Sequence, residues 1–192
     1  MMKSTSNKSA GLLLFVTMTT TLLMACHKDT QDPETPQVIL NEEEVITTCK
    51  LYFTDISGTS TDTIAIYRDA DGDGGNGPTQ FDTIFLKSGT HYATEIILLN
   101  ETISPADSIS NEVEEEGQDH LFCFGVNNAA LNIERTDSDG TYEIGLHSEW
   151  TATSASTGSV TITLKHQPGI KDGTCIPGDT DLEIQFPLVI TD

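Results

Sequence analysis

From Glu44 onward, apolar and polar positions alternate. Val45, Cys49, Leu51 and Phe53 share one parity, and Ile64 and Ile66 form a second run. Ile84 and Leu86, Tyr92 through Leu98, Phe122 through Val126, Tyr142 through Leu146, Val160 through Leu164 and Leu182 through Ile190 follow. A period of two places every second side chain on one face of an extended strand. Each run is short, rich in Thr, Ile and Val, and bounded by Gly, Asp, Asn or Pro. Eight or nine such strands predict an all-β fold, an antiparallel β-sandwich of broadly immunoglobulin-like kind. One stretch departs from the pattern. Ser104, Pro105 and Asp107 have the order of an N-cap, a first-turn proline and a capping-box acid, Gly117 supplies a stop, and Ile109 and Val113 stand four apart. A short crossover helix is expected there. Glu114, Glu115 and Glu116 fall at its C-terminal end, against the helix dipole, so they either fray the helix or are held by something positive.

The region before Glu44 reads differently. Residues 1–9 carry Lys3 and Lys8 and no acid, and residues 10–25 are apolar apart from threonines, the layout of a signal peptide. The stretch is shorter than the ~20 apolar residues of a membrane-crossing helix. Leu23, Met24, Ala25 and Cys26 resemble the lipobox of bacterial lipoproteins, which implies cleavage before Cys26 and acylation of its thiol and amine. Several acyl chains on one residue make a firm membrane anchor. The alternative is a secreted protein with Cys26 free. The expected organisation is a lipoprotein signal peptide over 1–25, the lipidated cysteine and a flexible Pro-containing tether over 26–43, and the β-sandwich domain over 44–192. His27, Lys28 and Asp29, with Asp32 and Glu34 beyond, resemble the acidic export signals of Bacteroidota surface lipoproteins, although the second adjacent acid of that pattern is missing. Placement on the outer membrane facing outward is thus favoured over the periplasm-facing alternative.

Charge narrows the partners. The chain has 9 basic and 30 acidic residues; without residues 1–25 it keeps 7 basic against 30 acidic, a formal charge of −23. Nucleic acid and anionic lipid surfaces repel such a chain, whereas cations and basic protein patches attract it. Solubility alone accounts for many of the acids. Besides Cys26 there are Cys49, Cys123 and Cys175, which allow one disulfide and leave one thiol over, with the pairing open.

Two groups of residues have the chemistry of cation sites. In RDADGDGGNGP, Asp69, Asp71 and Asp73 alternate and Gly74 follows, which resembles the first half of an EF-hand calcium loop. The twelfth position is Gln80 rather than Glu and the flanks read as strands, so the bidentate ligand is lacking; the competing reading is a glycine-rich hairpin turn with solvated acids. His120 shares the parity of Phe122 and Phe124, and His166 that of Ile162 and Leu164, one opening its strand and the other closing its own. Antiparallel pairing would bring both imidazoles to one end, with Glu116 and Asp119 nearby in sequence. Imidazole with carboxylate suits Zn²⁺ or another transition metal, and the competing reading is a pair of rim histidines capping the core. His147 alternates with Glu143 and Glu149 on a polar face, and Trp150 has core parity rather than that of a sugar platform. No GxSxG, HExxH, phosphate-cradling loop or dinucleotide fingerprint is present, so no enzyme activity is expected.

NEEEVITT, RDADGDGGNGP, LLNETISPADSISNEVEEEGQDHLFCF and TITLKHQPG together resemble a family of short uncharacterised lipoproteins of the Bacteroidota. Some members carry the label of a type 1 periplasmic binding fold, which implies a two-lobed α/β ligand binder; the strand alternation and the chain length point to the sandwich instead. The expectation is a membrane-anchored, non-enzymatic binding module at the cell surface, for a metal cation or as accessory to an outer-membrane transporter. The alternative is a structural or adhesion protein whose hairpin is stiffened by calcium.

Overall fold

The computed structural model describes residues 44–71 and 75–192. Eleven strands and one helix follow in order among them: β1 (Thr48–Asp55), β2 (Thr63–Arg68), β3 (Gln80–Phe81), β4 (Ile84–Lys87), β5 (Thr90–Asn100), β6 (Asp107–Ser108), α1 (Ile109–Glu115), β7 (His120–Asn127), β8 (Leu131–Arg135), β9 (His147–Ala152), β10 (Ser156–His166) and β11 (Asp179–Thr191). They form two sheets. One has the order β3-β2-β1-β5-β9-β8, with β6 attached to β5; the other has the order β4-β11-β10-β7. All pairs are antiparallel except β4 with β11, which is parallel. The fold is an all-β sandwich, not a two-lobed α/β arrangement.

The inner faces meet around Trp150, which is fully buried, as its parity predicts. Phe53 sits edge-on to it at 5.1 Å and Phe124 at 5.9 Å, and its Nε1–H donates to Ser148 Oγ at 2.9 Å. Burying an indole of this size contributes roughly 4–6 kcal/mol from apolar area. Tyr92, Phe122, Phe186 and the aliphatic side chains of β5, β10 and β11 complete the layer. Cys49 is free and buried, and burial pushes its thiol up to about 12, which leaves it unreactive.

Four expectations need correction. On β2 the buried residue is Ala65, and Ile64 is exposed, because the register opposes Ala65 to core-facing Leu51 and Ile64 to outward Tyr52. Val45 likewise precedes β1 and is exposed. Tyr142 through Leu146 do not extend as a strand: Asp137 accepts hydrogen bonds from the N–H groups of Gly145 and His147, and Ile144 gives its carbonyl to Phe122, so β9 starts only at His147. The helix begins at Ile109 with Ser108 as N-cap, later than Ser104, because Asp107 and Ser108 pair with β5 as β6. Ile109 and Val113 do form its buried face.

The loop between β10 and β11 is braced from three sides. Cys123 and Cys175 form the disulfide. Lys171 donates to Gly117 O at 2.7 Å, just beyond the helix end, and to Asp139 Oδ2 at 2.8 Å. Both partners of that ion pair are buried. Burial pushes the Asp139 carboxyl up, but Lys171 and the N–H groups of Tyr142 and Thr141 outweigh it and bring the group down to about 2. Lys171→Met would strand a buried carboxylate and is expected to cost about 3 kcal/mol in urea unfolding at neutral pH, with Lys171→Met/Asp139→Asn recovering most of it. Because the folded carboxyl lies below its ordinary 3.8, the wild-type advantage over Lys171→Met should fade as pH falls from about 4 to about 2.

A candidate metal centre on three adjacent strands

The site is made by the register of β10 with its two neighbours. On one side, β7 runs antiparallel and His120 stands directly opposite His166. Opposed residues on one face of such a pair touch, and the two imidazoles stack with centroids 4.7 Å apart and planes 6° from parallel. On the other side the register with β11 shifts: Leu164 pairs with Leu182, whereas Lys165 pairs with Thr180. Asp181 is the extra residue of this β-bulge. Strict alternation would send it outward with Glu183 and Gln185; a bulge re-aims the side chain it carries. A ligand atom from each of His120, His166 and Asp181 lies within 4.8 Å of the others.

Hydrogen bonding sets the imidazole tautomer. His120 Nδ1 lies 3.1 Å from the carbonyl oxygen of Glu116. A carbonyl only accepts, so Nδ1 carries the proton and Nε2 the lone pair. Nε2 is buried with no protein partner, and so is Nδ1 of His166. His120 is fully enclosed, and burial lowers its pKa, with His166 adding to the effect and the Glu116 carbonyl opposing it. A neutral imidazole held by a backbone carbonyl through one nitrogen is the form that ligates metals through the other.

Acids crowd the same corner. Glu44 is half-buried, and burial, together with Glu112, Asp181 and Glu116, pushes its carboxyl up to about 7. Glu112 is also raised, first by burial and then by Asp107. Carboxylates gathered in this way need either protons or a cation. A tetrahedral ion with Zn–N bonds of about 2.0–2.1 Å holds its donors roughly 3.3 Å apart. The three donors must therefore close by about 1.5 Å at most.

Neighbouring backbone holds the strand ends in place. Gln167 N–H donates to Asp119 O at 2.6 Å, and Gln167 Nε2 donates to Thr174 O and Pro177 O at 2.9 Å. Gly178 adopts φ +82°, and a β-carbon there would collide with the His166 carbonyl. This close approach folds residues 167–178 back beside the site and requires glycine.

Of the residues expected from sequence, His120 and His166 come together, but the carboxylate beside them is Asp181. Glu116 contributes its carbonyl to His120 and its charge to the acidic corner. Asp119 is turned to the loop, where its Oδ1 accepts from Gly169 N at 3.3 Å. Proximity in sequence singled out those two acids, whereas the bulge that brings Asp181 in leaves no composition signal. Asp69 and Asp71 lie in the separate β2–β3 loop; Asp73 and Cys26 lie outside the described residues. His147 is exposed, as expected.

The chain matches no protein-family model, no characterised protein and no solved structure.

Glu44 makes the corner sensitive to pH. Between its ordinary 4.5 and about 7 the folded protein binds the proton more tightly than the unfolded chain does. The stability of wild type relative to Glu44→Gln should therefore fall as pH rises through that window. Urea midpoints at intervals from pH 4 to 8 measure it; parallel curves for the two proteins would contradict the crowding described.

Proposed function

We propose that this protein is a lipid-anchored module on the outer face of the outer membrane that binds, rather than transforms, a divalent transition-metal cation. Zn²⁺ is the leading ion, and the site's donors are His120 Nε2, His166 Nδ1 and the Asp181 carboxylate. The observation that carries the reading is the pair of buried ring nitrogens without hydrogen-bond partners on stacked imidazoles, beside a carboxylate delivered by a bulge. Leaving such atoms unpaired in the interior costs about 1–3 kcal/mol each, and a metal ion is a partner that satisfies both at once. Soft thiolate ligands are absent from the set, and a His₂-carboxylate donor group suits Zn²⁺, Cu²⁺ or Ni²⁺ better than Ca²⁺ or Mg²⁺. The acidic collar of Glu44, Glu112 and Glu116 lowers the potential at the site and favours a cation over any anionic ligand.

Placement comes from the sequence. Cys26 in its lipobox supplies the anchor, and the stretch from 26 to 43 supplies reach, roughly 50–60 Å when fully extended at about 3.3 Å per residue. A surface module that takes up cations in this way fits an accessory to an outer-membrane transporter.

Calorimetric titration of the purified protein with Zn²⁺ should give one site per chain, lost at least tenfold in affinity in His120→Ala and in Asp181→Asn and unchanged in His147→Ala. A titration without heat, or one unaffected by His120→Ala, would overturn the site. In cells, Cys26→Ser should abolish labelling by radioactive palmitate and release the protein from envelope fractions; retention there would overturn the placement.

A further inference from the structure

The loop that joins β2 to β3 carries a second pair of oxygen donors, independent of the histidines. Asp69 directly follows β2, and its backbone N–H donates to Thr47 O at 2.8 Å, which fixes this acid against the sheet. Its side chain is enclosed, with the residue only 7% exposed. Its Oδ1 is buried with no hydrogen-bond partner. Arg68, the preceding residue, pairs with Glu101.

Two residues later Asp71 is set by the loop itself. Its Oδ2 accepts the backbone N–H of Asn76 at 2.9 Å and the Asn76 side-chain amide at 2.8 Å. A β-carbon at Gly75 would fall on that carboxylate, so the chain curls closely around it at a glycine. Two acids two residues apart, one of them enclosed with an oxygen left over, form an arrangement that a hard cation relieves.

We infer that Asp69 and Asp71 are the protein donors of a Ca²⁺ site that fastens the β2–β3 hairpin. Donor chemistry selects the ion. Only oxygens are offered, in a glycine-rich turn, and Ca²⁺ accepts such ligands at 2.3–2.6 Å with irregular geometry and water completing its shell. The sequence around the pair, D-A-D-G-D-G, has the alternation and the glycine of a calcium loop. The site holds without the bidentate glutamate of EF-hands, so the affinity belongs with weak extracellular modules, at about 0.1–1 mM.

Tb³⁺, which replaces Ca²⁺ on oxygen ligands, provides the test, because Tyr67 stands two residues before Asp69, close enough to sensitise its emission. In the full protein, sensitised Tb³⁺ emission should rise on titration, be displaced by millimolar Ca²⁺, and drop at least fivefold in Tyr67→Phe. Asp71→Asn, a change at an exposed loop position, should weaken binding at least tenfold, and the near-isosteric Asp69→Asn should do the same. His120→Ala should leave the signal untouched, which separates this site from the histidine centre. Ca²⁺ should also raise the melting temperature of the wild type but not of Asp71→Asn. Absence of sensitised emission, emission undiminished in Asp71→Asn, or a melt indifferent to about 10 mM Ca²⁺ would each overturn the inference.

Discussion

A one-residue slip in register, between Leu164 and Lys165 on β10 against Leu182 and Thr180 on β11, is the constraint on which the site depends. On the far side of β10 the pairing with β7 continues without interruption to His166 opposite His120. One strand thus presents a regular edge to one neighbour and a bulged edge to the other. The regular edge stacks the two imidazoles; the bulged edge turns Asp181 from the solvent face toward them. Without the bulge the histidines would have only each other and the core below them.

The surroundings show why the slip is tolerated. Lys165, displaced by the bulge to pair with Thr180, donates its ammonium to Thr180 Oγ1 and Gly178 O, which closes the irregular turn. Gln167 and the Cys123–Cys175 bridge tie down the rest of the loop. A rigid scaffold keeps donors near a binding geometry in the absence of ligand, which reduces the entropic cost of capture. The main core is centred on Trp150 and Phe53. The protein therefore combines an apolar sandwich that folds by area burial with an acidic corner where carboxyl groups crowd together and two ring nitrogens lack a hydrogen-bond partner.

How much of this was legible in the sequence follows from which forces have a periodic signature. Alternation in β5, β10 and β11 marks one face of each strand, and those faces are buried as read. The same parity placed His120 and His166 on the inner face, at opposite strand ends that antiparallel pairing unites. Alternation failed at Ile64, where the neighbouring strand's register and not the residue's own hydrophobicity chose the face. It failed again at Tyr142 through Leu146, where Asp137 captured the backbone groups a strand would have used. Asp181 was invisible because its parity is that of exposed residues; a bulge inverts the rule without altering composition. The short strands β3 and β6 and the edge strand β8 carry too few inward residues to stand out.

The centre can be examined most directly through the ring nitrogens themselves, by long-range ¹H–¹⁵N correlation spectra of the histidines before and after Zn²⁺ is added. Before addition, His120 should show the tautomer protonated at Nδ1. After one equivalent, Nε2 of His120 and Nδ1 of His166 should shift together while His91 and His147 stay in place. A His120 ring protonated at Nε2 in the free protein, or shifts confined to His91 and His147, would contradict the proposed centre.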